Sequence, residues 1–293
     1  MASTKSILLS LIKKMKHPTS RPYSPPRENH SRKRLERLLP STALICCALA
    51  TETLAAPRAI SVGQETSPKP PSYTLVTSEG VRLHLIHFDS RLHQLSVIDQ
   101  VQGPASQWRD SKHLGSHKNA IACLNGGFFQ KNGQPLGLVI SNGQRRGANH
   151  SSSLASGFVF STAHHIGMAR RASLSETLRT HRPKNLLQTG PMLSYQGESV
   201  QGLSSKEWRP RSFLATDGSY RWLMGYAENT TLQQLGVALT GKNLAGVPIY
   251  HAINLDGGRS SDLWVSPQLT QGGKHLRAFW NKPVRNFLLL TTK

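Results

Sequence analysis

The sequence predicts an α+β fold: a single domain with a mixed or antiparallel β-sheet, a few helices and a cleft at the strand ends. Three observations carry this. Short apolar runs of roughly four to eight residues recur along the chain, most of them closed by Gly, Asn or Pro. Only two or three segments have helical periodicity, and they do not alternate strictly with the strands. Two of the strands end in a polar residue and two glycines, Asn125-Gly126-Gly127 and Asp256-Gly257-Gly258. No repeat, coiled coil or membrane-length apolar run follows residue 50.

The elements follow in order. Tyr73–Val76 and Val81–His87 alternate like half-buried strands around the turn Glu79-Gly80. His84 and His87 fall on opposite faces of such a strand and read as surface histidines. Leu95–Ile98 is a third strand, Ser106–Leu114 a short helix and Asn119–Leu124 an apolar strand. Leu136–Ile140 is a strand, and Asn142-Gly143 is a hairpin signal. Arg145 to Ser153 is a polar loop, and Phe158–Phe160 is strand. Ser173 and Glu176 have capping-box spacing, so Ser173–His181 is helical and Pro183 ends it. Gln188–Leu193 leads through the turn Thr189-Gly190-Pro191. Arg211–Thr216 and Tyr220–Glu228 form a hairpin around Asp217-Gly218. Asn229 or Thr230 caps a helix at Leu232–Leu239, whose residues 232, 235 and 239 share a face. Ile249–Leu255 is a buried strand, and the simplest sequel is a hairpin turn with Leu263–Val265 returning beside it. Arg285–Leu290 closes the sheet.

The chain has 293 residues and a formal charge of +21. Residues 1–50 carry +8 of it and the remainder +13, so the domain itself is basic. Such a balance favours anionic partners: phosphorylated sugars, anionic glycans, acidic membrane surfaces or nucleic acid. Aromatics make up 6% of the chain and no basic helix interleaves them, which argues against specific nucleic-acid binding.

The organisation predicted is a basic segment with a signal-like apolar run over 1–50, a Ser/Pro-rich linker over 51–71 and one domain over 72–293. Leu38–Ala50 is apolar, follows Arg32-Lys33-Arg34 and Arg37, and ends in Ala48-Leu49-Ala50; Leu54-Ala55-Ala56 offers a second cleavage pattern. This is the order of a secretory signal, and it predicts export to a periplasm or the medium. An uncleaved membrane anchor and an organellar transit peptide are the rival readings of the same segment. Cys46 and Cys47 would leave with it, and Cys123 reads as a small core hydrophobe.

The two Gly-Gly strand ends could line one cleft, with Gly190-Pro191 and Arg209-Pro210-Arg211-Ser212 lying between them in sequence. Glycine permits the close approach of a ligand to the backbone. The same pieces, in the same order, resemble the phosphodiester glycosidase family. They are Asn125-Gly126-Gly127-Phe128-Phe129, Pro135-Leu136-Gly137-Leu138, Thr189-Gly190-Pro191, Arg211-Ser212, Asn254-Leu255-Asp256-Gly257-Gly258 and Pro283-Val284-Arg285-Asn286. The resemblance runs from about Ser72 to Thr291. It departs at Arg259, where many members have a third glycine, and at Arg211-Ser212-Phe213, where many have Arg-Thr-Ala.

The resemblance implies hydrolysis of the bond between a sugar's anomeric carbon and a phosphodiester. Ordinary glycosidases use two carboxylates, but here Asp256 is the one clear candidate, with Asp262 and Glu198 as possible helpers. A phosphate leaves as a stable anion, so one carboxylate and an anion cradle would suffice. Asp256, Arg211 and Asn125 are the expected catalytic residues. Gly126, Gly127, Gly190, Asn254, Gly257, Gly258, Ser260 and Arg259 are the expected substrate-binding residues. Arg211 suits phosphate because its planar fork matches two oxygens. No cofactor is called for; Asp256 and the Asn carbonyl oxygens would suit a hard cation such as Ca²⁺ or Mg²⁺, which the pattern leaves open. The expected partner is a phosphorylated sugar or anionic glycan, with a membrane engaged only through an uncleaved N-terminal segment. The sequence is silent on oligomeric state. The alternative reading is a non-catalytic binder of anionic glycans that keeps the fold.

Overall fold

The computed structural model describes residues 67–293; the basic segment, the apolar run with its cleavage patterns and most of the linker lie outside the described residues. In chain order the elements begin with β1 (Ser72–Ser78), β2 (Val81–Asp89), β3 (His93–Asp99), α1 (Ser111–His117), β4 (Ala122–Asn125), β5 (Val139–Ser141) and β6 (Gln144–Arg146). Then come β7 (Gly157–Ser161), β8 (Ile166–Arg170), α2 (Leu174–His181), β9 (Asn185–Thr189), β10 (Met192–Tyr195) and β11 (Glu198–Ser199). The chain continues through β12 (Arg209–Thr216), β13 (Arg221–Thr230), α3 (Leu232–Leu239), β14 (Asn243–Leu244) and β15 (Val247–Pro248). It ends with β16 (His251–Asn254), β17 (Leu263–Val265), β18 (Lys274–Leu276) and β19 (Asn286–Thr292).

The strands form three main sheets, ordered β1-β2-β13-β12-β16-β10-β11, β18-β17-β4-β19-β3 and β6-β5-β9-β7-β8, plus the ribbon β14-β15. The pairings among the described residues are antiparallel. The expected hairpin turns form. Asn142 and Gly143 both hold positive φ, 47° and 80°, as the tight turn between β5 and β6 requires. Asp217 Oδ1 accepts from the amides of Ser219 and Arg221, closing the β12–β13 turn.

Each main sheet turns one face to a shared core. Ile86, Leu124, Val159, Leu187, Met224, Ile253 and Leu288 meet there. Each outer face is then covered by one helix. α3 brings Leu235 and Leu239 onto Leu85 and Phe213, α1 brings Leu114 among Cys123, Trp264 and Phe287, and α2 brings Leu174 onto Phe158 and Leu186. Gly115 makes the α1 contact possible, because a Cβ there would stand 2.2 Å from the Trp264 ring. Strands buried on both faces read as continuous apolar runs rather than clean alternations. That burial corrects the reading of His84 and His87, which are buried, not superficial. His84 is held between the Tyr73 hydroxyl (2.7 Å) and Glu228 Oε1 (3.0 Å).

Three helix starts differ from expectation. α1 begins later, where Asp110 caps it by accepting from the His113 amide at 2.8 Å. α3 is capped by Thr231, which accepts from the Gln234 amide at 3.1 Å. Ser173 makes no side-chain cap bond, because a 3-10 turn at Arg171–Ser173 leads straight into α2. The largest difference concerns β16 and β17. They are not a hairpin: β16 pairs with β10 and β12, while β17 pairs with β4 and β18. Residues 255–262 therefore carry the chain from one sheet to another.

Candidate active site

The crossing at Asp256 is where several strand ends meet. β4 delivers Asn125-Gly126-Gly127, β12 starts with Arg209 to Ser212, and β9 ends at Thr189 beside Gly190. β19 begins at Asn286. Backbone bonds lock these ends together. The Asp256 amide donates to Gly126 O (3.0 Å), the Leu255 amide to Ser212 O (2.8 Å), and the Gly126 amide to Asn286 O (2.8 Å). The Thr189 hydroxyl donates to Asn254 O at 3.1 Å.

Asn125 is fully buried and fully used by the protein. Its Nδ2 donates to Asp256 O at 2.7 Å, and its Oδ1 accepts from the Ser212 hydroxyl at 2.6 Å and the Asp262 amide at 3.0 Å. It thus fixes the backbone of Asp256 from both ends of the crossing. Asn254 Nδ2 donates to Gly190 O (2.9 Å) and Leu255 O (2.6 Å). Those carbonyl partners set its amide orientation, and its Oδ1 is buried without a partner. Gly190 has no space for a side chain: a Cβ would stand 2.8 Å from Ser153 O and Ser156 Oγ.

The Asp256 carboxyl is pushed up to about 6, chiefly by burial; hydrogen bonds from the Ser260 side chain and the Gly257 amide, and the charge of Arg209, oppose the rise. A carboxyl poised near neutrality at a strand end is the electrostatic condition of a group that exchanges protons during a reaction.

Two arginines of β12 pack against the double glycine. Arg211 is buried, donates from Nη2 to Glu207 O at 2.9 Å and from Nε to Thr230 O at 3.4 Å, and has no carboxylate partner among the described residues. Burial first, and Arg209 second, lower its pKa to about 10. The charge of Glu207 opposes that fall, so Arg211 remains a cation at neutral pH, and a buried cation without a direct carboxylate contact makes a favourable seat for an anion. Arg209 lies along Gly258 and pairs with Glu207. Arg259 is exposed and turned aside, its Nε donating to Trp280 O at 3.1 Å.

Of the suggested helpers, Asp262 is spent elsewhere. Its carboxylate accepts from the Ser111 hydroxyl (2.5 Å) and amide (2.9 Å), with His275 at 3.0 Å and Arg277 at 3.5 Å. Glu198 is exposed on the edge strand β11. Arg285, fully buried, is neutralised by a two-pronged pair with Asp99 at 2.7 and 2.9 Å.

Two residues that the sequence reading quoted only within motifs, without a role, join the site. Asn286 accepts from the Gly127 amide at 2.8 Å, which leaves its Nδ2 buried and unpartnered. Arg209 stands two residues before Arg211 on one strand, with a register irregularity between them, and the Arg-Pro-Arg-Ser run could have marked it. Asn254 Oδ1 and Asn286 Nδ2 are therefore a spare acceptor and a spare donor beside the crossing. Among the described residues, no group of three or more His, Cys, Asp or Glu side chains gathers in a way that could hold a metal ion.

The family model for phosphodiester glycosidase matches residues 118–291. No curated protein matches the chain. The fold is similar to the catalytic domain of zebrafish N-acetylglucosamine-1-phosphodiester alpha-N-acetylglucosaminidase, auto-inhibited by its pro-peptide. The TM-score is 0.54 and the identity 16%, over 78% of this chain and 86% of that one. It is also similar to a hypothetical protein from Synechocystis, with a TM-score of 0.51 and 15% identity over 75% of this chain and 61% of the other. At these identities the likeness is one of fold. The family match spans every strand end that meets at Asp256, from β4 through β19, and on it the chain belongs to the phosphodiester glycosidase family.

Proposed function

We propose that the protein is an exported glycosidase that cleaves a sugar-1-phosphodiester in envelope or extracellular glycans. The observation that carries this is a carboxyl raised to about 6 that feels the charge of Arg209 and is next in sequence to Gly257, a glycine that packs against the buried Arg211. Above pH 6 the Asp256 carboxylate acts at the anomeric carbon, either by taking a proton from the attacking water or as a nucleophile whose glycosyl ester a water then hydrolyses, freeing the sugar and the carboxylate. The bond from that carbon to the phosphate oxygen breaks and its electron pair stays on the phosphate. Arg211, with Arg209 beside it, receives that anion. Asn254 and Asn286, both buried, act on the site indirectly by holding Gly190 O and the Gly127 amide. Asn125 acts through the backbone it holds, as a positioning residue.

Export rests on the charged, apolar and small-residue order ahead of residue 56. No helix among the described residues is long and apolar enough to cross a membrane. The catalytic domain is taken to begin near Ser72, behind the linker.

The test is incubation of purified protein with a panel of sugar-1-phosphodiesters, reading free sugar. Release by the wild type and its loss in Asp256→Asn is the expected result. Tight binding of a panel member with no release from any would establish the binder instead.

A further inference from the structure

A cavity of about 520 Å³ is lined by Asn149, Ser151, Ser152 and Ser153 of one loop and by Arg170 and Arg171 at the end of β8. No acidic residue lines it. Neither guanidinium forms an ion pair or hydrogen bond with the described residues. Arg170 is nonetheless held in place, its guanidinium 4.0 Å over the Tyr195 ring. Ser152 Oγ is buried and has no partner.

The loop is built rather than loose. Gln188, itself buried, donates from Nε2 to Asn149 Oδ1 (3.0 Å), His150 O (2.9 Å) and Ala155 O (3.0 Å). Its Oε1 accepts from the Leu138 and His150 amides, both at 3.0 Å. Two of its lining residues touch Gly190 of the candidate active site. Ser153 O and Ser156 Oγ press on Gly190, whose carbonyl holds Asn254, two residues before Asp256.

We propose that this cavity is a second anion subsite, which seats a further phosphate of the same glycan. The proposal rests on the phosphodiester reading above and deepens it: the substrate class becomes a polymer that repeats the sugar-phosphate unit, not a compound with a single phosphodiester. Two unpaired guanidinium groups with hydroxyls and no acids select a multi-oxygen anion. The volume is that of a ligand larger than one phosphate, and it has room for a sugar attached to it.

Two measurements test this. In the first, the ¹⁵N-labelled protein is titrated with inorganic phosphate and amide shifts are followed. Saturable shifts at Ser151–Ser153 and Arg170–Ala172 that survive Arg211→Lys and vanish in the double variant Arg170→Gln/Arg171→Gln are expected. Absence of saturation there, or its persistence in the double variant, would overturn the subsite. This arm needs no activity, so it stands or fails apart from the glycosidase reading. In the second, turnover is compared on a single sugar-1-phosphodiester and on an oligomer of several sugar-phosphate units. The double variant should raise KM for the oligomer roughly tenfold, as loss of about one charge-assisted contact implies, and leave the single compound unchanged. Equal effects on both compounds, or none on either, would overturn the polymer assignment.

Discussion

Gly257 lies against the side chain of Arg211: a Cβ on it would stand 3.3 Å from Cδ and 3.4 Å from Nη1. Gly258 repeats the relationship with Arg209, at 3.0 Å from Cδ, and holds φ at +62°. Replacing either glycine tests a different property. Gly258→Ala forces a left-handed alanine against Arg209 and should lower stability by about 1 to 2 kcal/mol, or several degrees in Tm. Gly257→Ala should melt nearly as the wild type does but raise KM, because the added Cβ presses on Cδ of Arg211 and shifts that side chain. Thermal melts and steady-state kinetics of both variants decide it; an unchanged Tm in Gly258→Ala would refute the strain.

Asp256→Asn should reduce turnover by roughly two to four orders of magnitude, the range for losing a positioned proton-transfer group. Its effect on stability has a defined sign. The folded carboxyl is raised from 3.8 to about 6, so between those values the native state holds a proton that the unfolded chain releases. This group's contribution to stability is greatest at low pH and is lost as pH rises through about 6. Tm profiles should therefore show the variant gaining on the wild type between pH 4 and 7. A variant that loses ground over that interval would place the carboxylate in a stabilising ion pair.

The rate profile provides a separate check. If the ionised carboxylate is the working form, kcat/KM should fall on the acid side with a limb near pH 6. Arg209 holds that limb down, so Arg209→Gln should move it to higher pH. A limb that moves the other way, or stays fixed, would detach Arg209 from the carboxyl.

Arg211→Lys keeps the charge and loses the fork. KM should rise roughly tenfold with a smaller change in kcat, since a bidentate contact is worth about that much over a point charge. Stability should change by less than about 1 kcal/mol, because the bonds lost are to carbonyls and not to a buried acid. A fall in kcat alone would mean that Arg211 acts only in the transition state.

Asn125→Ala should cost both stability and turnover. It strips partners from the Asp262 amide, the Ser212 hydroxyl and Asp256 O, all at a buried position. A loss of about 2 to 4 kcal/mol in denaturant melts is expected. Unchanged stability with lost activity would restore Asn125 as a direct substrate ligand.

Strand existence was readable because Val81–His87, Asn119–Leu124 and Arg285–Leu290 are apolar runs with turn residues at their ends. Sheet membership was not. Leu263–Val265 follows β16 closely in sequence, and proximity favours a hairpin, yet its partners Leu124, Cys123 and Ala122 lie far back in the chain. His84 and His87 misled for a related reason: alternation reports one buried face, and both faces of β2 are covered. At the site, the motifs located Asp256, Asn125 and Arg211 together. They could not distinguish an asparagine consumed by the fold from one with a spare atom. That distinction depends on neighbours such as Ser212 and Gly190, which only the tertiary structure supplies.

The passage of residues 255–262 between two sheets has a consequence for how the molecule fails. Asp256 is bonded through its amide to Gly126, directly after β4 of one sheet, and its neighbour Leu255 to β12 of the other. Neither sheet can open without pulling the carboxyl off its station, so the site has no unfolding unit of its own. Catalytic competence and global cooperativity become one quantity. A library screened only for surviving activity after heating would, in this protein, be a screen for the integrity of the whole architecture.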